Sequence, residues 1–344
     1  MEPAGACRAA SAGPDRPRGR LLPAAAAAES RSLAGPASTP DPAPTVSAES
    51  IQFFNRHTGQ VETEVVYGEG FLRWTYTNLL GRLALHAVAK RAFFSRWYGW
   101  GGERPASRAK IQPFIRQYRT DVGELADDPG SFRCFNDFFI RRLKSAARPI
   151  DDAPGAVVFP ADGRHLGFQN VAEVGGVFVK GQRFDVAELV GDPALAAAYR
   201  GGALVLSRLC PVDYHRFHFP AAGTASAPRL INGPLFSVNP VALRQRLAYL
   251  WENKRSITRL ETAQLGTVLL IEVGATCVGS IRQSYTPGTK VARGAEKGWF
   301  EFGGSSTITL FEPGRVRLAE DLVGNSRQCR ELYARMGSRM AVEA

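Results

Sequence analysis

The chain has 344 residues, a formal charge of +11 and 44% apolar content, enough for one large domain or two smaller ones with a sizeable core. Cys7, Cys134, Cys210, Cys277 and Cys329 are scattered and form no Cys-x-x-Cys pair, which excludes a zinc ribbon or a disulfide scaffold and favours a reducing compartment. No run of about 18 uncharged apolar residues occurs, so no membrane-spanning helix is predicted.

Residues 1–48 are Ala, Pro, Gly, Ser and Arg, a texture that cannot build a core and predicts a disordered, low-complexity extension. The fragment RPRGRLLPAAAAAES imitates a signal peptide, but Pro23 interrupts an apolar stretch of only about eight residues, so a floppy extension is expected over a cleaved address. Five arginines and five acids cancel within residues 1–50.

Residues 49–148 are expected to form a helical, membrane-associating region. NLLGRLALHAVAKRAFFSRWYGW, Asn78 to Trp100, reads as a helix with Leu80, Leu83, Ala84, Ala87 and Val88 on one side. Across residues 81–120, nine Lys or Arg stand against one acid, Glu103. Such a block faces an anionic partner, nucleic acid or lipid headgroups, or is simply a solvated face. Interleaved Phe93, Phe94, Trp97, Tyr98 and Trp100 suit a helix lying in a bilayer interface; a helix packed on its own domain is the plainer alternative. More helix is predicted around Ile111 to Tyr118 and Cys134 to Leu143.

After Arg148-Pro149 the pattern turns to short β-branched runs: GAVVFPADG, GVFVKG, GALVLSRL, GTVLLIEVGATCVGSI and STITLFEPG, separated by Gly, Pro, Asp and Asn. Helices are predicted at Val186 to Tyr199 and Pro240 to Leu250. The fold class is therefore α+β, an N-terminal helical segment leading into a mainly antiparallel β-sheet body with a few helices.

Three segments of this body carry reactive side chains where strands end. FPADGRH holds Asp162, CPVDYHRFHFP holds His215 and His218, and FEFGGSSTITLFE holds Ser305 and Ser306. Asp before Gly is by itself an ordinary turn dipeptide. Asp213, His215 and His218 are all possible metal ligands, but histidines three apart point to opposite faces of a strand and no further His or Cys cluster joins them, so no metal is expected. Gly-Gly-Ser-Ser lacks the following helix and Lys of a phosphate loop. The sequence GGSST is not the GxSxG elbow of an α/β-hydrolase either. Together the three segments supply the members of an Asp–His–Ser arrangement, in which a carboxylate orients a base and the base activates a hydroxyl.

The chain resembles the phosphatidylserine decarboxylase family, in the branch whose processing motif reads Gly-Gly-Ser. The likeness runs over roughly residues 51 to 320 in seven motifs: FFNRHTG (53–59), FNDFFIRRLKSAARPID (135–151), PADGR (160–164), DYHRFHFP (213–220), NGPLFSVNP (232–240), VGATCVGSI (273–281) and KGWFEFGGS (297–305). The resemblance implies a proenzyme that cuts itself between Gly304 and Ser305, giving a β chain (1–304) and an α chain (305–344) within a β-rich catalytic domain spanning 149–344. Ser305 would attack the Gly304 carbonyl and end as a pyruvoyl group, with His218 as the base and Asp162 as the carboxylate that orients it. The pyruvoyl group would be the only cofactor, without metal or pyridoxal phosphate. It would form a Schiff base with phosphatidylserine, which loses CO2 to give phosphatidylethanolamine. His215 would position the substrate carboxylate or protonate the carbanion.

Two residues depart from the family pattern. Ser306 stands where Thr usually follows the processed serine, and Ala222 stands where relatives often carry a polar residue. Choosing Ser306 as nucleophile would put Ser305 rather than Gly before the cut and break the spacing back to Phe302, so Ser305 is the expected nucleophile. The resemblance further implies a homo-oligomer, a peripheral place on the cytoplasmic side of the cell membrane and no nucleic-acid partner. Two other functions compete: a pyruvoyl-dependent decarboxylase of a soluble amino acid, and a non-catalytic basic β module that binds nucleic acid. The first gives no reason for the basic, aromatic segment at 81–120, and the second leaves Asp162, His218 and Ser305 unexplained.

Overall fold

Strands with apolar residues on both faces form the centre of the protein. The computed structural model describes residues 51–64, 70, 100–174, 184–275, 280–301 and 305–344. The extension at 1–48, GVFVKG, Gly303-Gly304 and the predicted helix from Asn78 up to Trp100 lie outside these residues, Trp100 itself excepted. In chain order the strands are β1 Gln52–Asn55, β2 Gln60–Thr63, β3 Ala156–Val158, β4 Gly163–Phe168, β5 Leu204–Leu209, β6 Arg216–His218, β7 Gly223–Ala225, β8 Arg229–Ile231 and β9 Arg255–Glu261. They continue with β10 Thr267–Val273, β11 Ile281–Gln283, β12 Lys290–Val291, β13 Glu296–Phe300, β14 Ser305–Leu310, β15 Val316–Leu318, β16 Glu331–Ala334 and β17 Arg339–Glu343.

Eleven strands make one sheet in the order β12-β7-β9-β10-β14-β5-β4-β16-β1-β2, with β8 alongside β9. Two three-stranded sheets, β11-β13-β6 and β15-β17-β3, complete the β structure among the described residues. Pairing is antiparallel throughout, as the short turns predict, except that β1 runs parallel to β16.

Alternation along the central strands sorts the core into two layers. Leu204, Leu206, Leu269, Ile271, Ile308 and Leu310 face one way, onto Leu189, Val190, Ala242, Leu243 and Leu250 from the helical segments. Val205, Val268 and Leu270 face the other way, onto Val157, Val316, Leu318, Ala341 and Leu322. Both faces being covered is why these strands read as continuous apolar runs rather than as clean alternation.

The helices are shorter than their sequence pattern suggests, with one exception. Ile111–Tyr118 forms as predicted, its Ile111 and Phe114 buried with Phe132, Phe135, Phe138 and Phe139. The predicted Val186 to Tyr199 helix is two helices, Val186–Val190 and Pro193–Ala197. Gly191 takes a left-handed conformation (φ 61°) that ends the first, and Asp192 accepts from the Leu195 amide to start the second. Pro240 to Leu250 likewise divides into Pro240–Leu243 and Tyr249–Glu252, and Cys134 to Leu143 contracts to Phe135–Phe139. No helix among the described residues is long and apolar enough to cross a membrane.

Candidate active site

The site lies where the sheet β11-β13-β6 meets one face of the large sheet. Ser305 is the first residue of β14, opposite Leu209 of β5, and has no accessible surface. Among the described residues its Oγ has no hydrogen-bond partner, and the same is true of Ser306 Oγ and Thr307 Oγ1. Alternation separates these hydroxyls. Ser305 and Thr307 share a face, while Ser306 shares the opposite one with Ile308 and Leu310, which belong to the apolar core. Thr307, His218 and Lys297 line one small void, so the Ser305 face is the one turned toward His218. Leu209, Phe217, Phe300 and Ala161 form the apolar contact between the sheets at this point.

His218 ends β6 and is almost fully buried. Its Nδ1 lies 2.9 Å from the Gly294 carbonyl and its Nε2 lies 3.3 Å from the Tyr214 hydroxyl. A carbonyl can only accept, so Nδ1 carries the proton of the neutral ring and Nε2 keeps the lone pair. Burial holds the pKa below the ordinary histidine value, opposed by the Gly294 carbonyl and by the charges of Glu296 and Asp162. The ring is therefore neutral at pH 7, the state a general base requires.

Asp162 sits in the turn between β3 and β4. Its carboxylate receives Arg148 Nε at 2.9 Å and Arg148 Nη2 at 2.6 Å, and the Met336 amide donates to Oδ1 at 2.8 Å. Asp162 and His218 are not hydrogen-bonded to each other. The main chain ties them instead, since the His218 amide donates to the Pro160 carbonyl at 2.7 Å. The next residue must be glycine: a Cβ on Gly163 would stand 2.5 Å from the Arg208 carbonyl.

His215 is fully buried, its ring 3.9 Å from that of Phe139 between centroids. Its Nδ1 lies 3.0 Å from the Asp213 carbonyl, which fixes the proton there by the same argument as for His218. The Phe300 amide donates to the His215 carbonyl at 3.0 Å, just before the chain enters 302–304. The Asp213 side chain is committed to Arg164 Nη1 (2.9 Å) and the Cys210 amide (2.7 Å).

Sequence reasoning did not find Arg148, Tyr214 or the pair Glu272–Lys297. Arg148 had a visible signal, an arginine before proline at the end of the RRLKSAARPID motif. Tyr214 stands inside the DYHRFH motif. Lys297 opens the KGWFEFGGS motif, but its pairing with Glu272, 25 residues away on another strand, carried no signal.

A family model described as "Phosphatidylserine decarboxylase" matches residues 135–341, and the chain belongs to that family of carboxy-lyases. The proenzyme of phosphatidylserine decarboxylase from Fusobacterium nucleatum subsp. nucleatum is 42% identical over 295 residues, covering 86% of this chain and 98% of that protein. The protein of the same name from Chlamydia caviae is 44% identical over 289 residues, 84% of this chain and 97% of its own length. That from Desulfitobacterium hafniense is 40% identical over 292 residues, 85% and 98% respectively.

Proposed function

We propose that this phosphatidylserine decarboxylase is made as an inactive precursor and matures by cutting itself between Gly304 and Ser305, before converting phosphatidylserine to phosphatidylethanolamine and CO2. One observation carries the reading: a fully buried serine hydroxyl without a partner at the head of β14, on the face turned toward a buried, neutral histidine. An unsatisfied buried hydroxyl costs about 1–3 kcal/mol, a cost expected where the group serves chemistry rather than stability.

In the maturation, His218 takes the Ser305 proton at Nε2, the ring atom that Gly294 leaves basic. Ser305 Oγ adds to the Gly304 carbonyl carbon, the C–N bond breaks, and the nitrogen receives the proton, leaving an ester. Removal of the Ser305 α-proton then expels the Gly304 carboxylate and leaves a dehydroalanine. Water replaces its nitrogen, which departs as ammonia. Asp162 favours the protonated state of His218 through its negative charge. Arg148 holds that carboxylate in place through its Nε and Nη2 hydrogen bonds.

The start of β14 suits a pyruvoyl group, being buried and held between β5 and β10. Such a group supplies a ketone that takes up the electron pair released when CO2 leaves. His215, held at Nδ1 by the Asp213 carbonyl, is assigned to position the substrate carboxylate or to protonate the carbanion, either of which requires the ring to carry a second proton. Exposed Trp100, with the Arg104 guanidinium 3.6 Å from its ring centroid, supports docking at headgroup depth on a membrane surface. We further infer that the protein is peripheral and faces the cytoplasm.

Mass spectrometry of the purified protein tests the maturation. Two chains meeting at 304/305, the smaller beginning with a pyruvoyl group, are the expected result, with a single intact chain from Ser305→Ala. Two chains from that variant, or one from the wild type, would overturn it. CO2 release from phosphatidylserine vesicles compared with free amino acids tests the substrate.

A further inference from the structure

Beside the candidate nucleophile lies a buried ion pair that the chemistry above does not use. Lys297 Nζ on β13 stands 2.8 Å from Glu272 Oε1 on β10, and the two side chains are 1% and 2% exposed. Gln283 of β11 binds both, donating to Glu272 Oε2 at 2.8 Å and accepting from Lys297 Nζ at 3.0 Å. The rings of Phe217 and Tyr285 flank the ammonium, each centroid 5.4 Å away. The site is closed and largely satisfied, and its void of about 10 Å³ is also lined by His218 and Thr307.

Such a pair is a poor way to stabilise a core. Two charges lose their hydration on burial, and apolar residues of similar volume often serve the fold as well or better. What the pair supplies is direction. Apolar contact tolerates sliding, whereas an ion pair bridged by an amide has one geometry.

Its placement shows which movement it would prevent. Glu272 pairs in register with Thr307, two residues from Ser305, on the same face of the large sheet. Lys297 belongs to the other sheet, where its neighbour Glu296 stands opposite His218. The pair thus joins β13 to β10, and only 301–304 connects β13 to the nucleophile's strand β14. The base and the nucleophile sit on different sheets, so their alignment depends on how those sheets are registered.

We propose that Lys297 and Glu272 are positioning residues for self-cleavage: they lock the sheet bearing His218 against the strand bearing Ser305, and the fold itself does not need them. The inference rests on maturation at Gly304/Ser305. Its test compares the full chain with the double variant Lys297→Met, Glu272→Leu, following cleavage after synthesis by gel and mass spectrometry and following folding by circular dichroism and thermal midpoint. The expected double variant folds with a midpoint at or above that of the wild type, yet cleaves at least about tenfold more slowly, the penalty of a small misplacement of reacting groups. Wild-type cleavage in the folded double variant would overturn the inference, since the pair would then be mere filling. Failure of the double variant to fold would overturn it as well, since the pair would then be structural. Absence of cleavage in the wild type would instead defeat the maturation reading itself, so the two failures are distinguishable.

Discussion

The large sheet holds Ser305 between strands that bury Leu269, Ile271, Ile308 and Leu310 on one face and Val205, Val268 and Leu270 on the other. The sheet β11-β13-β6, which holds His218, is bound together differently. Arg216 pairs with Glu296 at 2.8 Å, Arg282 with Glu301 at 2.9 Å, and Lys297 reaches across to Glu272. The large sheet has buried ion pairs of its own, Arg208 of β5 with Glu331 of β16 among them, but its central strands rest on non-directional burial, whereas the small sheet meets it through few apolar side chains and several directional contacts. Stability and alignment thus rest on different parts of one molecule and can be damaged separately.

Acid should strike the large sheet hardest. His165 of β4 is fully buried, with Nδ1 2.8 Å from Ser207 Oγ and Nε2 3.1 Å from the Ala334 carbonyl. Burial brings its pKa down from 6.5 to about 3. The unfolded chain takes up a proton as pH falls through 6.5, while the folded chain refuses it until about 3. Stability from this group is complete above the upper value and drains away as pH falls toward the lower, by up to about 5 kcal/mol. Urea midpoints at pH 7 and pH 4.5 should differ strongly, and His165→Gln should shrink that difference.

Leu269→Ala removes a fully buried side chain from the large sheet and should cost about 2–5 kcal/mol in denaturant titrations. Cleavage at 304/305 should persist at temperatures where the variant remains folded. Arg216→Gln, in the small sheet, should show the reverse balance. It removes a bond to the Ile140 carbonyl and the pair with Glu296, costing about 1–3 kcal/mol, while slowing cleavage more than Leu269→Ala does. Equal effects of the two variants on cleavage would erase the distinction between the sheets.

Ser306→Ala should have the smallest effect. Its buried hydroxyl lacks a partner, so its loss should leave stability unchanged or raise it by about 1 kcal/mol. Cleavage should continue at the wild-type rate, read by the same mass spectrometry. An intact chain from this variant would move the nucleophile from Ser305 to Ser306.

Much of the large sheet was legible because its strands announce themselves locally. GALVLSRL contains β5, GTVLLIEV contains β10 and STITLFEPG holds all of β14 except its first residue, Ser305, with Gly or Pro at the ends of these runs. Helix lengths were less legible, since a capping aspartate after a left-handed glycine restarts a helix without disturbing its apolar period. The serine, the histidines and the aspartate stood out by residue type and family motif. Their partners did not, because hydrogen-bonding choices are made by tertiary neighbours. His218 faces a carbonyl at 294 and Asp162 an arginine at 148, separations that no local pattern encodes.

The position of β14 has a consequence for the life of the mature enzyme. Residues 305–344 supply β14, flanked by β10 and β5, and β16, flanked by β4 and β1. A cut at 304/305 therefore frees an end without freeing a piece, and the short polypeptide stays woven into its larger companion. Should the nicked protein ever melt, its two parts would diffuse away and meet again only by collision, so its endurance becomes a question of rate rather than equilibrium. In the proposed maturation, assembly would therefore come first and severance second.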